Sequence, residues 1–590
     1  MYNRAMKILL TTLNSKYIHS NLAIRYLKSY CRSEYPDITV REFTINDNMD
    51  LIVAEIYKEK ADFIGFSCYI WNIGETLQIA NTLKQVLPGC KIALGGPEVS
   101  FDALQILNQN LAVDFIIRGE GEETFKELLN ALHRGGQLSD IKGLSYRANG
   151  QVYENEERPL IENLDDIPFA YDEGFDGLDN KIIYYETSRG CPFNCQYCLS
   201  STITGVRFLS MERIRKDLEV FIRNRIPQVK LVDRTFNCHP KRAREIFKMI
   251  LEMGGETNFH FEMAGDLIDE ETLEILSKAP PGLFQFEIGV QSTNQSTLRA
   301  IDRRNDFDKL VRNVKAIRSF ENIHLHLDLI AGLPNEDYRS FHRSFNDVFS
   351  LKPHRLQLGF LKLLKGSGLR LQADQYGYVY RTYPPYEVLK SHDISYEELL
   401  MLKGIEDLLE KYYNTHRFEY TLRYLISLWG DDAFAFFEDF AAYWEGKDLF
   451  QLSHNQLRMY EILLEYGESL RDVDKRILVE LLRFDYCLYE KPVRYPKGME
   501  PVRTASQNEA IHEFFKDREN RERYFPHMKE YTDKQIARMA HIEIFEYDVL
   551  AQPDEIKDTR RTTAILFDYQ IPNKIFRRCR YHKIDLNCNT

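Results

Sequence analysis

The sequence contains no run of about 18 apolar residues, the length a membrane-spanning helix needs. Its first residues pass from Tyr2, Asn3 and Arg4 into a strand pattern with no signal-peptide cleavage site, so a cytoplasmic protein without a membrane partner is expected. Cysteine is scarce, with ten in 590 residues. That is too few for a disulfide scaffold, and in a reducing compartment any clustered cysteines read as metal ligands or catalysts. Glycine (30) and proline (20) are sparse while hydrophobic residues reach 44%, which excludes a disordered, collagen-like or low-complexity chain. Positive charge is in deficit: 77 Lys and Arg face 89 Asp and Glu, a formal net charge of −12, which argues against nonspecific binding to nucleic acid or an anionic membrane surface. At about 150 residues per domain, the length predicts three to four domains.

From Lys7 to about Gly136, short apolar runs alternate with amphipathic stretches. The runs are Lys7 to Leu13, Ile38 to Thr44, Phe63 to Tyr69, Lys91 to Gly95 and Val113 to Arg118, and Asn72 to Leu87 is a typical helical stretch between them. Five βα units predict an α/β, doubly wound parallel sheet over residues 1–140, with ligands at the carboxyl ends of its strands. Residues 141–180 read as a hairpin, Leu144 to Tyr153 turning at Asn149-Gly150, and an acidic linker, Glu157 to Asp179. A second βα series covers 181–370. Its strands are Lys181 to Thr187, Val229 to Asp233, Phe259 to Met263, Leu283 to Val290, His324 to Ile330 and Leu356 to Leu364, which predicts a partial (β/α)6 barrel with its chemistry at the C-terminal strand ends. Residues 371–590 read as a mostly helical domain, with helices at Tyr396 to Tyr413 and Ser453 to Leu470, two late strands at His541 to Tyr547 and Thr563 to Tyr569, and Trp429 and Trp444 in its core.

Cys191, Cys195 and Cys198 form CxxxCxxC in the loop leaving the first barrel strand. With so few cysteines, chance grouping at this spacing is rare. Three close thiolates can hold three irons of a [4Fe-4S] cluster and leave the fourth open, whereas structural zinc wants a fourth protein ligand, for which Cys238 and His239 are the nearest spare side chains.

A CxxxCxxC loop directly after the first strand of a six-unit partial barrel resembles the radical S-adenosylmethionine (SAM) enzymes, and the resemblance covers about Lys181 to Arg370. It implies that the open iron binds the amino and carboxylate groups of SAM and that the reduced cluster cleaves SAM to a 5′-deoxyadenosyl radical. It further implies that Tyr197 lies beside adenine and that Glu287 and Gln291, in Phe-Glu-Ile-Gly-Val-Gln-Ser, lie near the SAM ribose and substrate. Asp328 to Pro334 would close around the adenosine, with Glu287 and Asp328 as the catalytic acids. The second strand departs from the family pattern of paired acids and carries Asp233-Arg234-Thr235, which leaves Asp233 as its one acid for the SAM amino group.

A doubly wound domain preceding such a barrel, with Gly-Phe-Ser-Cys-Tyr-Ile-Trp-Asn, Gly-Gly-Pro-Glu and Arg-Gly-Glu-Gly-Glu after strands three, four and five, resembles the cobalamin-binding radical SAM class. Its first domain is flavodoxin-like, and the helical C-terminal region resembles an extension of uncharacterised role found in one branch. The resemblance implies that Ser67, Gly95 and Gly96 line the cobalamin nucleotide tail while Tyr17, His19, Trp71 and Glu120 border the corrin ring. The D-x-H-x-x-G motif that supplies a histidine to cobalt is absent, since His19 is followed by Ser20 and Asn21.

The function so implied is a cobalamin-dependent radical SAM methyltransferase that acts on an unactivated carbon of an unidentified substrate, with electrons from a reductant such as flavodoxin or ferredoxin. Two alternatives stand beside it. A methylthiotransferase would need Cys31, Cys68 and Cys90 to converge on a second cluster, although their predicted positions lie at different faces of the sheet. A noncatalytic cobalamin or redox sensor would have no use for a complete cysteine triad.

Overall fold

The computed structural model describes residues 6–203, 205–570 and 578–586. The chain divides into two compact units: Met1–Ile323 with Gly332–Asp337 and Phe360–Ser395, and His324–Ala331 with Tyr338–Gly359 and Tyr396–Thr590.

The first unit opens on a seven-stranded sheet: β1 (Ile8–Asn14), β2 (Thr39–Thr44), β3 (Phe63–Ser67), β4 (Lys91–Gly95), β5 (Phe115–Ile117), β6 (Leu144–Ala148) and β7 (Gln151–Glu154), in the order β2-β1-β3-β4-β5-β6-β7. All seven residues of β1 are buried, as befits a strand covered by helices on both faces. The first five strands are parallel in the flavodoxin-like order. The hairpin assigned to the connecting segment in fact extends this sheet: β6 pairs antiparallel with β5, and the turn at Asn149-Gly150 has positive φ at both residues (49° and 77°). The acidic stretch after it is packed down, with Leu164, Ile167 and Tyr171 buried and the Tyr171 hydroxyl donating to the Tyr184 carbonyl at 2.7 Å.

The second series begins with β8 (Ile183–Tyr185), which is followed by a two-stranded excursion that the sequence pattern did not mark, β9 (Ser188–Gly190) and β10 (Val206–Phe208). β11 (Gln228–Leu231), β12 (Asn258–Met263) and β13 (Phe284–Gln291) continue a parallel sheet with β8. Burial alternates strictly along β13. One face carries Phe259, Phe261, Phe284 and Phe286, packed with Phe236 and Phe247. Lys230, Glu262 and Glu287 share the other. A small antiparallel pair, β16 (Val379–Tyr380) and β17 (Val388–Lys390), also belongs to this unit.

The second unit holds β14 (His324–Ala331), the helix Tyr338–Phe349 and β15 (Arg355–Phe360, up to Gly359), which complete the six βα steps in chain order. It continues with helices that include Tyr396–Leu408, Ala433–Gly446, Gln456–Ser469 and Lys475–Tyr489. It closes on a three-stranded antiparallel sheet: β18 (Ala540–Phe545), β19 (Thr563–Asp568) and a strand not anticipated from sequence, β20 (Arg580–Ile584). Trp444 is fully buried against Tyr412 and Phe440, whereas Trp429 is only half-buried and is not the core residue expected. No helix among the described residues is long and apolar enough to cross a membrane.

Candidate functional site

The cysteine triad sits on a loop whose neck is the β9–β10 pair, where Gly190 faces Val206 and Arg189 faces Arg207. Gly190 has φ +98°, and a Cβ there would lie 2.1 Å from the Gly205 carbonyl oxygen, so only glycine closes the neck. Cys195 is buried, and Cys191 and Cys198 are half-buried. Hydrogen-bonding groups surround the thiols. Arg303 Nη1 lies 3.7 Å from Cys195 Sγ and 3.1 Å from the Tyr197 hydroxyl, the Ser200 amide donates to Cys198 Sγ at 3.4 Å, and the Thr235 hydroxyl is 3.6 Å from Cys191 Sγ. Burial pushes the Cys195 thiol up while Arg303 pulls the other way. The three sulfurs do not all lie within 4.8 Å of one another. Thiolates around one tetrahedral zinc, with Zn–S of about 2.3 Å, would stand only about 3.8 Å apart. The donor set therefore fits a polynuclear cluster better than a single ion.

Asp233, at the end of β11, is fully buried and turned toward this hairpin. It accepts from the Thr187 amide (3.0 Å), the Thr187 hydroxyl (2.6 Å) and the Ser188 hydroxyl, and burial raises its carboxyl. Glu287 stands beside Glu262 in the β12–β13 register, and one ammonium serves both: Lys230 Nζ is 2.9 Å from Glu287 and 3.5 Å from Glu262. His260 Nε2 lies 3.2 Å from Glu287. Gln291, at φ +71°, folds its amide back over Gly289 and keeps a buried Oε1 without a hydrogen-bond partner. In the second unit, Asp328 lies 2.9 Å from His326 Nε2.

At the strand ends of the first domain, Asn72 is buried and pins the loop after β3: its amide donates to the Leu13 (3.0 Å) and Ser67 (3.1 Å) carbonyls, and its oxygen accepts from the Tyr69 amide (2.8 Å). This leaves an aromatic surface beside the sheet end. Tyr69 and Trp71 stack at 4.5 Å, Trp71 is 41% exposed and Tyr17 66%. Ser67 is buried. Gly96 is dictated by packing, since at φ +112° a Cβ would meet the Cys68 carbonyl at 2.5 Å. Gly95 is not: its φ is ordinary and the nearest atom to a Cβ would be the Ile117 carbonyl oxygen at 3.7 Å, so packing within the chain does not demand glycine there. His19 is held by Tyr184 of β8, with Nδ1 2.7 Å from the hydroxyl, and burial together with Lys16 and Lys230 lowers its affinity for a proton.

Glu120 does not stand free at the strand ends. It accepts from the Ile161 amide and pairs with Arg207 (2.7 Å) and Arg189 (3.4 Å), which hold its carboxyl below the usual range although burial opposes them. Arg189 also pairs with Glu122 (2.6 Å) and Glu186 (2.8 Å). Glu122 belongs to the Arg-Gly-Glu-Gly-Glu run noted in the sequence, whereas Arg189, Glu186, Lys230 and Arg303 were not singled out there. The last three carry no local signature, and only the position of Arg189, two residues before Cys191, marks it. Cys31 packs in the core on one face of the first sheet, and Cys68 and Cys90 pack in the core on the other, all with thiols raised by burial, so the three do not converge on a second cluster.

Three family models match the chain: a B12 binding domain over residues 8–129, the Radical SAM superfamily over 185–348, and a protein of unknown function, DUF4080, over 374–567. An uncharacterised methyltransferase of Pyrococcus horikoshii is 30% identical over 326 residues, covering 53% of this chain and 70% of that protein. The cobalamin-dependent radical SAM methyltransferase TokK of Streptomyces tokunonensis is 27% identical over 54% of this chain, which spans 49% of TokK's length. Among solved structures, the radical SAM methyltransferase TsrM of Kitasatospora setae, with cobalamin and a [4Fe-4S] cluster bound, superposes with a TM-score of 0.55 at 15% identity, covering 64% of this chain and 76% of that one.

Proposed function

Because this chain belongs to the cobalamin-binding radical SAM family, we propose that it is a methyltransferase that uses cobalamin, SAM and a [4Fe-4S] cluster to methylate an unactivated carbon of its substrate. The observation that carries the reading is the tie between the cysteine hairpin and the first domain: Arg189, at the neck of the hairpin, is ion-paired to Glu120 and Glu122. When bound, the cluster and SAM supply a hydrogen-abstracting radical and cobalamin supplies a carrier for the methyl group.

The chain's own residues divide the work. Cys191, Cys195 and Cys198 would hold three irons of the cluster and leave the fourth to SAM. Arg303 orients Tyr197 and donates toward Cys195, while Asp233 fixes the Thr187-Ser188 segment that enters the hairpin and acts as a positioning residue. Gln291, with its unpartnered oxygen, would offer an acceptor to the SAM ribose, and Glu287, steadied by Lys230, would orient SAM and substrate. Tyr17, Trp71 and the strand-end Gly95, with Ser67 and Gly96 beneath, receive cobalamin. With its Nδ1 held by the Tyr184 hydroxyl, His19 would border the ring rather than serve as a ligand to cobalt. Electrons come from a one-electron donor of the flavodoxin or ferredoxin kind.

The reconstituted full chain is tested with a reductant, cobalamin and methyl-labelled SAM. Release of 5′-deoxyadenosine and passage of label to cobalamin and then to a metabolite pool are expected, together with a Co(II) resonance lacking nitrogen splitting. Replacing all three cysteines by Ala should abolish SAM cleavage; retention of about four irons and of cleavage would overturn the assignment. Cleavage without any transfer of label would leave a radical enzyme that is no methyltransferase.

A further inference from the structure

The C-terminal part of the second unit contains a buried group of metal-ligand type far in sequence from the cysteine triad. Cys487, on the helix Lys475–Tyr489, and His541 and Glu543, on β18, place one sulfur, one ring nitrogen and one carboxylate oxygen all within 4.8 Å of one another. His541 and Glu543 are two residues apart on a strand and so share a face. Cys487 and the Glu543 side chain are completely buried, and the His541 side chain is 14% exposed.

The carboxylate is prepared unevenly. Glu543 Oε2 takes His541 Nε2 (2.9 Å), Arg503 Nη2 (2.9 Å) and the Tyr495 hydroxyl. Oε1 is buried without a hydrogen-bond partner, and Arg483 Nε stands 3.6 Å from it. An unsatisfied buried acceptor costs free energy that a bound cation would recover. The two arginines are balanced by Glu543 and by Glu480, which lies 3.4 Å from Arg483, so the cluster is close to neutral before any ion enters. A further thiol is at hand: Cys579 is buried and its Sγ is 3.6 Å from the Cys487 carbonyl.

We propose that Cys487, His541 and Glu543 bind a zinc ion, with the Cys579 thiol as candidate for the fourth position, and that this ion fastens the helix Lys475–Tyr489 to the terminal sheet. A sulfur, nitrogen and oxygen set on a closed, buried site matches the ligand preferences of zinc. Binding replaces the thiol proton of Cys487 by the metal and releases it to solvent. If Cys579 also binds as thiolate, the two sulfur charges offset the charge of the ion.

The test removes the competing cysteines first. The full-length C191A/C195A/C198A chain, stripped of metal and dialysed against zinc, should retain about one zinc per chain and melt at a higher temperature than the zinc-free form. With cobalt(II) in place of zinc it should show a thiolate-to-metal charge-transfer band. H541Q, whose partly exposed side chain is least needed for folding, should lose the zinc at least tenfold more readily, and C487S should lose the charge-transfer band. A folded triple variant that keeps no zinc and melts identically with and without it overturns the proposal, even if C487S fails to fold. So does zinc retained unchanged in H541Q.

Discussion

Arg189 donates to Glu122 at 2.6 Å, joining the residue two places before Cys191 to the first turn of the helix Glu122–Arg134. The guanidinium also meets Glu186 and Glu120 and lies 5.6 Å from the Tyr26 ring. Three carboxylates converge on one arginine that is only 13% exposed. Such a constellation contributes little net stability compared with an apolar one, yet breaking it from one side is costly. Its effect is orientation: the neck of the cysteine hairpin cannot shift against the first domain without separating buried charges.

Replacing Arg189 by Met should therefore strand Glu186, Glu122 and Glu120 and lower the stability of the full chain by about 3–5 kcal/mol. Chemical denaturation of the apoprotein reads this directly. A loss below about 1 kcal/mol would mean that the carboxylates rehydrate freely and that the clamp is a surface feature.

The same clamp should respond to pH through Glu186, whose carboxyl is raised to about 7, chiefly by burial, although Arg189 opposes the shift. A carboxyl whose folded pKa lies above its unfolded value favours the protonated fold. Its ionisation thus costs no stability at pH below about 4.5, an increasing amount as pH rises toward 7, and a constant amount above. Glu186→Gln removes that titration while keeping the shape. Thermal melts across pH 5 to 8 should show the variant gaining on the wild type as pH rises. A difference that stays flat, or that shrinks with pH, would contradict the raised value.

Arg303 supplies a third expectation. Its N–H lies 3.7 Å from Cys195 Sγ, and hydrogen bonds and positive charge near the sulfurs favour the reduced, more negative state of an iron–sulfur cluster. Arg303→Met should make the cluster harder to reduce, seen as a more negative midpoint in a redox titration followed by electron paramagnetic resonance. An unchanged or more positive midpoint would place Arg303 outside the cluster's electrostatic reach.

The parts of this molecule legible in sequence are those whose cause is local. Cys191, Cys195 and Cys198 lie within eight residues, Asn149-Gly150 carries its own turn preference, and the buried β1 reads as an apolar run. The clamp is different: Glu122 stands in the Arg-Gly-Glu-Gly-Glu run, but nothing local pairs it with Arg189, 67 residues away. Lys230 and Glu262 were hidden because each lies on a strand whose other face is apolar, and periodicity reports the buried face rather than what the opposite one carries. β20 escaped for a related reason: as the last strand of its sheet it buries only Ile584, so its residues give almost no hydrophobic signal.

Gly95 and Gly96 provide the sharpest separation between fold and ligand. At Gly96 the backbone lies at φ +112° and ψ 175°, a region essentially reserved for glycine, and a Cβ would strike the Cys68 carbonyl at 2.5 Å. Gly96→Ala should cost at least about 1–3 kcal/mol of strain and impair folding of the strand-end loop whether or not cobalamin is present. At Gly95 a Cβ meets nothing closer than 3.7 Å, so Gly95→Ala should leave the apoprotein as stable as the wild type or slightly more so, since the unfolded chain loses freedom. If cobalamin is pressed against the end of β4, that one methyl group must nevertheless weaken its binding. Denaturation of the two apo variants, followed by equilibrium dialysis of G95A with cobalamin, separates the effects. Equal cobalamin affinity in G95A and wild type would move the cofactor away from this strand end and leave Gly95 without a role.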